Sequence, residues 1–133
     1  MNYKVAICDD DNSIINTINE YLSLYSFQYD IDFSISTFDN PVNLLNAYSS
    51  PGAFHIVFLD VEMKAMNGME LARKIREKDK NIIIIFITNY EKYVFEGYEV
   101  NAYRYLLKPI NEEKVADVLN SIIKNNSQEK KNT

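Results

Sequence analysis

The feature that most limits the fold of this chain is a regular alternation between short, mainly apolar runs and longer segments with helical spacing. The runs are rich in Ile, Val, Phe and Tyr and are too short for helices, so they predict buried strands. They span Tyr3–Cys8, Phe54–Leu59, Ile82–Ile87 and Ala102–Leu107. A further segment, 31–38, at first alternates apolar and polar residues, which is typical of a strand with one wetter face.

The intervening segments repeat apolar residues every three to four positions, which predicts amphipathic helices. In the first helix we expect Ile14, Ile18, Leu22 and Tyr25 to share the buried face. Asn40-Pro41 and Asn111-Glu112-Glu113 have the residue types of helix starts, and shorter helices are expected at 41–48 and 91–98. The resulting βα order, repeated five times, predicts an α/β fold: a doubly wound, five-stranded parallel sheet with helices on both faces.

Length and composition exclude several classes of protein. The 133 residues suit one domain, and 47% of them are hydrophobic, a globular value. A net charge of −5 argues against direct nucleic-acid binding by this domain. With one cysteine and one histidine, the chain lacks the ligands of a structural zinc site. We expect the folded domain to cover residues 1–124 and the polar residues 125–133 to form a tail or linker.

No targeting signal or membrane span is expected. The longest apolar run, Ile82–Ile87, has six residues, which is the length of a strand and far below that of a membrane-spanning helix. The N-terminal apolar run is too short for a signal peptide. We therefore expect a cytoplasmic protein with no membrane partner.

Polar side chains follow four of the five predicted strands. They are Asp9-Asp10-Asp11, Asp60, Thr88-Asn89 and Lys108-Pro109. Ligands of open parallel sheets bind at the carboxyl ends of the strands. If the first strand is central, Asp9, Asp10 and Asp60 converge at this edge.

This set of groups suits phosphoryl transfer. Clustered carboxylates repel one another and recruit a cation, and an all-oxygen site favours Mg²⁺ or Mn²⁺. A lysine and a hydroxyl can bind phosphoryl oxygens, and a carboxylate can be the nucleophile that forms an aspartyl phosphate. The alternative is structural: Asp9–Asp11 as turn and cap residues and Asp60 as the end of a strand.

From Tyr3 to Lys124 the chain resembles the receiver domain of bacterial two-component response regulators, which has a flavodoxin-like (βα)5 fold. Five motifs, in order and in register with the strands, carry the resemblance. They are Val5-Ala6-Ile7-Cys8-Asp9-Asp10, Phe58-Leu59-Asp60-Val61-Glu62-Met63, Met66-Asn67-Gly68-Met69-Glu70-Leu71, Phe86-Ile87-Thr88 and Tyr105-Leu106-Leu107-Lys108-Pro109. The segment 96–110 is most similar to regulators that carry a LytTR-type DNA-binding domain after the receiver.

The resemblance implies a role for each matched residue. Asp60 corresponds to the phospho-accepting aspartate. Asp9 and Asp10 correspond to the acidic pair, with Asp10 a direct Mg²⁺ ligand and Asp9 acting through water. Asp60 and the backbone carbonyl of Glu62 would complete the metal site. No other cofactor is implied.

Three further residues would bind the phosphoryl group or move in response to it. By resemblance, Lys108 pairs with it, the Thr88 hydroxyl turns towards it, and Tyr105 is the aromatic switch that follows Thr88. The Lys108-Pro109 peptide bond is usually cis in this family. Two positions depart from the family pattern: Lys64 stands where proline is frequent, and Asn89 where a small residue is usual.

The leading interpretation is a signalling module rather than a classical enzyme. Its partner would be a sensor histidine kinase, and phosphorylation would promote homodimerisation or control an effector domain that binds DNA. Two alternatives remain. One is a Mg²⁺-dependent phosphatase or phosphotransferase with Asp60 as nucleophile, although Glu62 stands where such phosphatases place a second aspartate and no insertion forms a cap. The other is a pseudo-receiver that acts without phosphorylation, although Asp10, Asp60, Thr88 and Lys108 are all present.

Overall fold

A computed structural model describes the backbone of residues 2–91 and 94–131, with side chains for 2–91 and 97–126. In these ranges, five strands alternate with five helices. The strands are β1 (Asn2–Cys8), β2 (Asp32–Phe38), β3 (Ile56–Asp60), β4 (Ile83–Thr88) and β5 (Arg104–Leu107). The helices are α1 (Asn12–Tyr29), α2 (Pro41–Ala47), α3 (Gly68–Lys78), α4 (Val94–Glu99) and α5 (Glu112–Lys131).

All five strands are parallel and form one sheet in the order β2-β1-β3-β4-β5. This confirms the predicted doubly wound α/β fold. The strand order changes direction between β1 and β3, which is the switch point where such sheets bind ligands. Because Cys8 pairs with Leu59, the residues that follow them, Asp9 and Asp60, are brought side by side.

The helices cover both faces of the sheet, and neighbouring residues of β1 face opposite sides. Val5 and Ile7 belong to the apolar cluster with α1 and α5. Ala6 and Cys8 belong to the cluster with α2 and α3. All four are at most 1% exposed, so β1 is buried on both faces and its sequence is continuously apolar.

Helix starts agree with the predictions, and the predicted face of α1 packs on the sheet with Ile15 as an additional buried residue. Asn40 caps α2 and Asn111 accepts a hydrogen bond from the first turn of α5. Ile15 is buried with Ile18, Leu22 and Tyr25, and Ile14 is half-buried and packs against the same apolar cluster. Positions 14 and 15 flank this face on either side, since they lie four and three residues before position 18, so both can contact the same cluster.

The C-terminal half differs from expectation in its boundaries. The helix expected at 91–98 is α4, Val94–Glu99; residues 92–93 lie outside the described residues. The polar stretch expected as a tail begins as a continuation of α5, which extends past Lys124 to Lys131. Asn125 and Asn126 in this extension donate side-chain hydrogen bonds to the hydroxyls of Tyr103 (2.9 Å) and Tyr3 (3.0 Å). Within the ranges described, no helix is long and apolar enough to cross a bilayer.

Candidate functional site

Three aspartates meet at the carboxyl ends of β1 and β3. Asp9 and Asp10 follow β1 and Asp60 ends β3, and one carboxylate oxygen from each lies within 4.8 Å of the others. Asp9 and Asp60 are each 1% exposed, whereas Asp10 is exposed. Asp11 does not join this group, because its carboxylate caps α1 by accepting the Ser13 N–H at 2.9 Å.

Backbone N–H groups orient these carboxylates. Asp9 Oδ1 accepts a hydrogen bond from the N–H of Asp11 at 2.9 Å, and Asp60 Oδ1 accepts a long one from the N–H of Glu62 at 3.4 Å. Asp10 Oδ2 accepts from the N–H of Lys64 at 3.3 Å. Proline has no N–H, so the lysine at position 64 allows a hydrogen bond that the frequent proline would remove.

Lys108, which follows β5, supplies the positive charge of the site. Its Nζ lies 3.3 Å from Asp60 Oδ1 and 3.5 Å from Asp9 Oδ2. The backbone N–H of Lys108 donates to the Thr88 carbonyl at 2.8 Å, which aligns the ends of β4 and β5. The Lys108–Pro109 peptide bond is cis.

The site carries more negative charge than its surroundings compensate. Burial and the charge of Asp9 raise the pKa of Asp60 to about 7, although Lys108 acts in the opposite direction. Burial also raises the pKa of Asp9. Burial tends to lower the pKa of Lys108, but the attraction of Asp60 and Asp9 outweighs it and raises that pKa. One lysine beside two buried carboxylates therefore leaves a charge that a cation would balance.

The residues present fit a hard divalent cation. Asp9 Oδ2 is buried and has the Lys108 ammonium 3.5 Å away, but no group in the described part of the chain donates a well-directed hydrogen bond to it. It lies in the same group as the oxygens of Asp10 and Asp60, and a ligand set made of carboxylate oxygens is typical of Mg²⁺ or Mn²⁺ sites. The part assigned to the backbone carbonyl of Glu62 stays a prediction.

The side chain of Glu62 has a contact that sequence analysis did not find. Thr88, the buried last residue of β4, donates its hydroxyl hydrogen to Glu62 Oε1. The N–H of Asn89 donates to the same oxygen at 3.2 Å. The N–H of Tyr90 in turn donates to Thr88 Oγ1 at 3.2 Å. A carboxylate in the loop after β3 gives no local signal of a partner 26 residues away.

Tyr105, the predicted switch residue, lies on β5 and is partly buried. Its ring packs against Phe86 with 5.7 Å between centroids. Beside it is an open cavity of about 230 Å³. The cavity is lined by Gly97, Tyr98, Ala102, Tyr103, Arg104 and Tyr105. The ring therefore borders an open space between α4 and β5.

Gly68 is a second residue whose importance only the structure explains. It is the first residue of α3, and its N–H donates to the Val61 carbonyl at 2.8 Å. A Cβ at position 68 would overlap the carbonyl oxygen of Asp60 and come within 2.8 Å of Val61 Cα. Glycine therefore lets α3 start directly against the backbone that carries Asp60.

Comparison with known proteins gives consistent matches. The profile of the response regulator receiver domain matches residues 5–120. The sensory transduction protein LytT of Oceanobacillus iheyensis is 44% identical over 94 residues, covering 69% of this chain and 38% of LytT. The sensory transduction protein LytR of Staphylococcus epidermidis is 30% identical over 119 residues, covering 90% of this chain and 45% of LytR. The chain thus matches less than half the length of these curated relatives.

A solved structure agrees in fold over nearly the whole chain. The REC domain of AraT, a response regulator from Geobacillus stearothermophilus, superposes with a TM-score of 0.81 at 26% identity. The superposition covers 98% of this chain and 99% of that domain. With the family profile matched over most of its length, this chain belongs to the response regulator receiver domain family of two-component systems, with LytT and LytR regulators among its relatives.

Proposed function

We propose that this receiver domain accepts a phosphoryl group on Asp60 from a partner sensor histidine kinase in a Mg²⁺-dependent reaction. The observation that carries the proposal is the convergence of Asp9, Asp10 and Asp60 beside Lys108 at the carboxyl edge of the sheet. Asp60 contacts Lys108 at 3.3 Å and accepts from the N–H of Glu62 at 3.4 Å, and it is the residue that the resemblance to receiver domains identifies as the phosphoacceptor.

The proposed step is a displacement at phosphorus. A carboxylate oxygen of Asp60 forms the new P–O bond, the P–N bond of the donor phosphohistidine breaks, and its electron pair returns to the histidine nitrogen. Asp9, Asp10, Asp60 and the Glu62 carbonyl would hold Mg²⁺, or Mn²⁺, which would neutralise charge on the phosphoryl oxygens. Lys108 would pair with one of these oxygens after releasing Asp60.

The contacts of Glu62 favour a signalling module over a phosphatase. In the phosphatase alternative, the residue two positions after the nucleophile acts as acid and base. Here the Glu62 carboxylate accepts hydrogen bonds from Thr88 and Asn89, and these bonds hold it at the end of β4. It is therefore poorly placed to exchange protons with a leaving group.

The proposed output is a change of the surface formed by α4, β5 and α5. The Thr88 hydroxyl would turn towards a phosphoryl oxygen, and Tyr105 would move into the space it leaves. This change would promote homodimerisation or control an effector domain. Residues 1–124 would form the receiver domain, and residues 125–133 would be a tail or the start of a linker to that effector domain. The greater length of the curated relatives is consistent with this division. One similar protein is described as the transcriptional regulatory protein LytR of Staphylococcus aureus, which favours a DNA-binding effector.

The proposal is tested by intact-mass measurement after incubation with acetyl phosphate and Mg²⁺. We expect one added phosphoryl group that hydroxylamine removes, as for an acyl phosphate. Asp60→Asn should gain none, while the matched control Asp11→Asn, outside the aspartate cluster, should be modified normally. Stable label on a serine or on His55 would refute the assignment of Asp60. An unmodified wild type that still folds would favour the phosphorylation-independent alternative.

The output is tested separately by sedimentation with and without acetyl phosphate. Wild type should associate on phosphorylation, whereas Thr88→Ala should be phosphorylated but respond poorly. A wild type that stays monomeric would count against self-association as the output. A Thr88→Ala protein that associates normally would remove Thr88 from the relay.

A further inference from the structure

The Glu62 carboxylate lies next to the proposed phosphorylation site, yet the proposed phosphoryl transfer does not use it. The N–H of Glu62 points at Asp60, and its carboxylate accepts hydrogen bonds from Thr88 and Asn89. We propose that Glu62 is a positioning residue whose carboxylate holds the Thr88 hydroxyl in the resting conformation and competes for it with the phosphoryl group. This inference rests on the proposed function, in which Thr88 responds to phosphorylation.

The competition follows from the chemistry of a hydroxyl group. Thr88 has one hydroxyl hydrogen, and that hydrogen is donated to Glu62. The hydroxyl oxygen already accepts the N–H of Tyr90 at 3.2 Å, so both sides of the group are engaged. Thr88 can donate to a phosphoryl oxygen only after its bond to Glu62 breaks.

Burial makes this bond costly to break. Thr88 is fully buried, while Glu62 is half-buried, so the bond is partly shielded from water. Hydrogen bonds to an ionised acceptor are roughly twice as strong as neutral ones. The second hydrogen bond, from Asn89, keeps the carboxylate in place at the end of β4. Glu62 therefore opposes the switch, and its removal should favour the activated conformation.

The test uses beryllofluoride, which binds aspartate carboxylates as a phosphoryl mimic, with affinity measured by ¹⁹F NMR in excess Mg²⁺. Glu62→Leu removes the acceptor and should tighten beryllofluoride binding about tenfold, the value of one charge-assisted hydrogen bond. Glu62→Gln keeps an acceptor oxygen without the charge and should tighten binding by about two- to threefold, since a neutral acceptor competes less well. Equal tightening by Gln and Leu would assign the effect to charge and overturn the proposal.

A double-mutant cycle with Thr88→Val isolates the hydroxyl, because valine keeps the shape of threonine without its O–H. In this background Glu62→Leu should no longer tighten binding. A full tenfold effect in the Thr88→Val protein would overturn the proposal.

The role of Glu62 and the proposed phosphorylation of Asp60 would be refuted by different outcomes. Wild type that binds beryllofluoride with no tightening in Glu62→Leu would refute the role of Glu62 alone. Wild type that binds no beryllofluoride in Mg²⁺ would refute the proposed function and with it this inference. Thermal unfolding of each variant would verify that the fold is retained.

Discussion

Two buried carboxylates at opposite ends of the same sheet have very different surroundings. Asp79 lies between α3 and β4, at the amino edge, and is 5% exposed. It accepts four hydrogen bonds, from the Tyr48 hydroxyl and from the N–H groups of Gly52 (3.1 Å), Asn81 (2.8 Å) and Ile82 (3.2 Å). Burial opposes ionisation, but these hydrogen bonds outweigh it and lower the pKa of Asp79.

Asp60, at the carboxyl edge, is 1% exposed and has fewer compensating contacts. It has Lys108 at 3.3 Å and one long contact from the Glu62 N–H, and it lies beside the buried Asp9. Its pKa is raised to about 7. The comparison shows that burial alone does not mark a functional carboxylate. A carboxylate whose hydrogen bonds are complete stabilises the fold, whereas one left with uncompensated charge is suited to bind a ligand.

The largest effect on stability is expected from removing the Asp79 carboxylate at the amino edge of the sheet. Asp79→Ala leaves the buried Tyr48 hydroxyl and three backbone N–H groups, one of them from the buried Ile82, without their acceptor and should lower the free energy of unfolding by about 3 to 5 kcal/mol. The folded-state pKa lies below the ordinary value of 3.8, so the contribution of Asp79 is present above that pH and is lost as pH falls through the folded-state pKa. Urea unfolding of wild type and Asp79→Ala at pH 7 and pH 3 measures the stability loss and its dependence on pH. A loss below 1 kcal/mol at pH 7 would contradict the structural role of Asp79.

The second effect concerns the close approach that positions Asp60. Gly68→Ala places a Cβ against backbone atoms that cannot easily move, and should lower the free energy of unfolding by about 2 to 3 kcal/mol. The matched control is Gly97→Ala in α4, where the new Cβ would lie 3.5 Å from Ala102 Cβ, an ordinary contact. Equal stability losses in the two variants, measured by thermal unfolding, would refute the close-approach argument.

The third effect has the opposite sign. In metal-free protein at pH 8, Asp60→Asn removes a buried charge next to Asp9 and should raise the free energy of unfolding by about 1 to 2 kcal/mol. Because the folded-state pKa is above the unfolded value of 3.8, the penalty grows as pH rises from about 4 to about 7 and stays constant above that.

Thermal unfolding at pH 8 and pH 4 checks the gain, with Asp10→Asn as a control at the exposed member of the cluster. Asp10→Asn should change stability by less than about 0.5 kcal/mol. A destabilised Asp60→Asn protein at pH 8 would show that the ionised carboxylate is better compensated than its contacts indicate.

The smallest effect concerns the N–H that orients Asp10. Lys64→Pro removes this donor and should weaken Mg²⁺ binding by about two- to fivefold, the value of one exposed hydrogen bond. Lys64→Ala loses the charge but keeps the N–H and should bind Mg²⁺ like wild type. NMR titration with Mg²⁺ measures the affinity of each variant and distinguishes the loss of the N–H from the loss of the charge. A decrease in both variants would assign the effect to the lysine side chain.

Much of the fold could be predicted from sequence because burial on both faces produces short, continuous apolar strands. The polar residues that follow four of the five strands could be placed at one edge because the carboxyl ends of parallel strands lie together. Asn40 and Asn111 were identifiable as helix starts because capping depends on the nearest turn. No apolar pattern beyond Lys124 predicts a helix, yet α5 continues to Lys131, and Asn125 and Asn126 in this extension contact the hydroxyls of Tyr103 and Tyr3.

The element order, the parallel sheet and the set of polar groups at its carboxyl edge could thus be predicted from the amino-acid sequence, since each leaves a local pattern of burial or capping. Which of these groups are in contact depends on how the elements pack together in three dimensions. The hydrogen bond from Thr88 to Glu62, the need for glycine at position 68 and the partners of Asp79 all join segments that are distant in sequence. Hydrophobic periodicity records whether a side chain is buried, but its partner depends on how separate elements pack against one another.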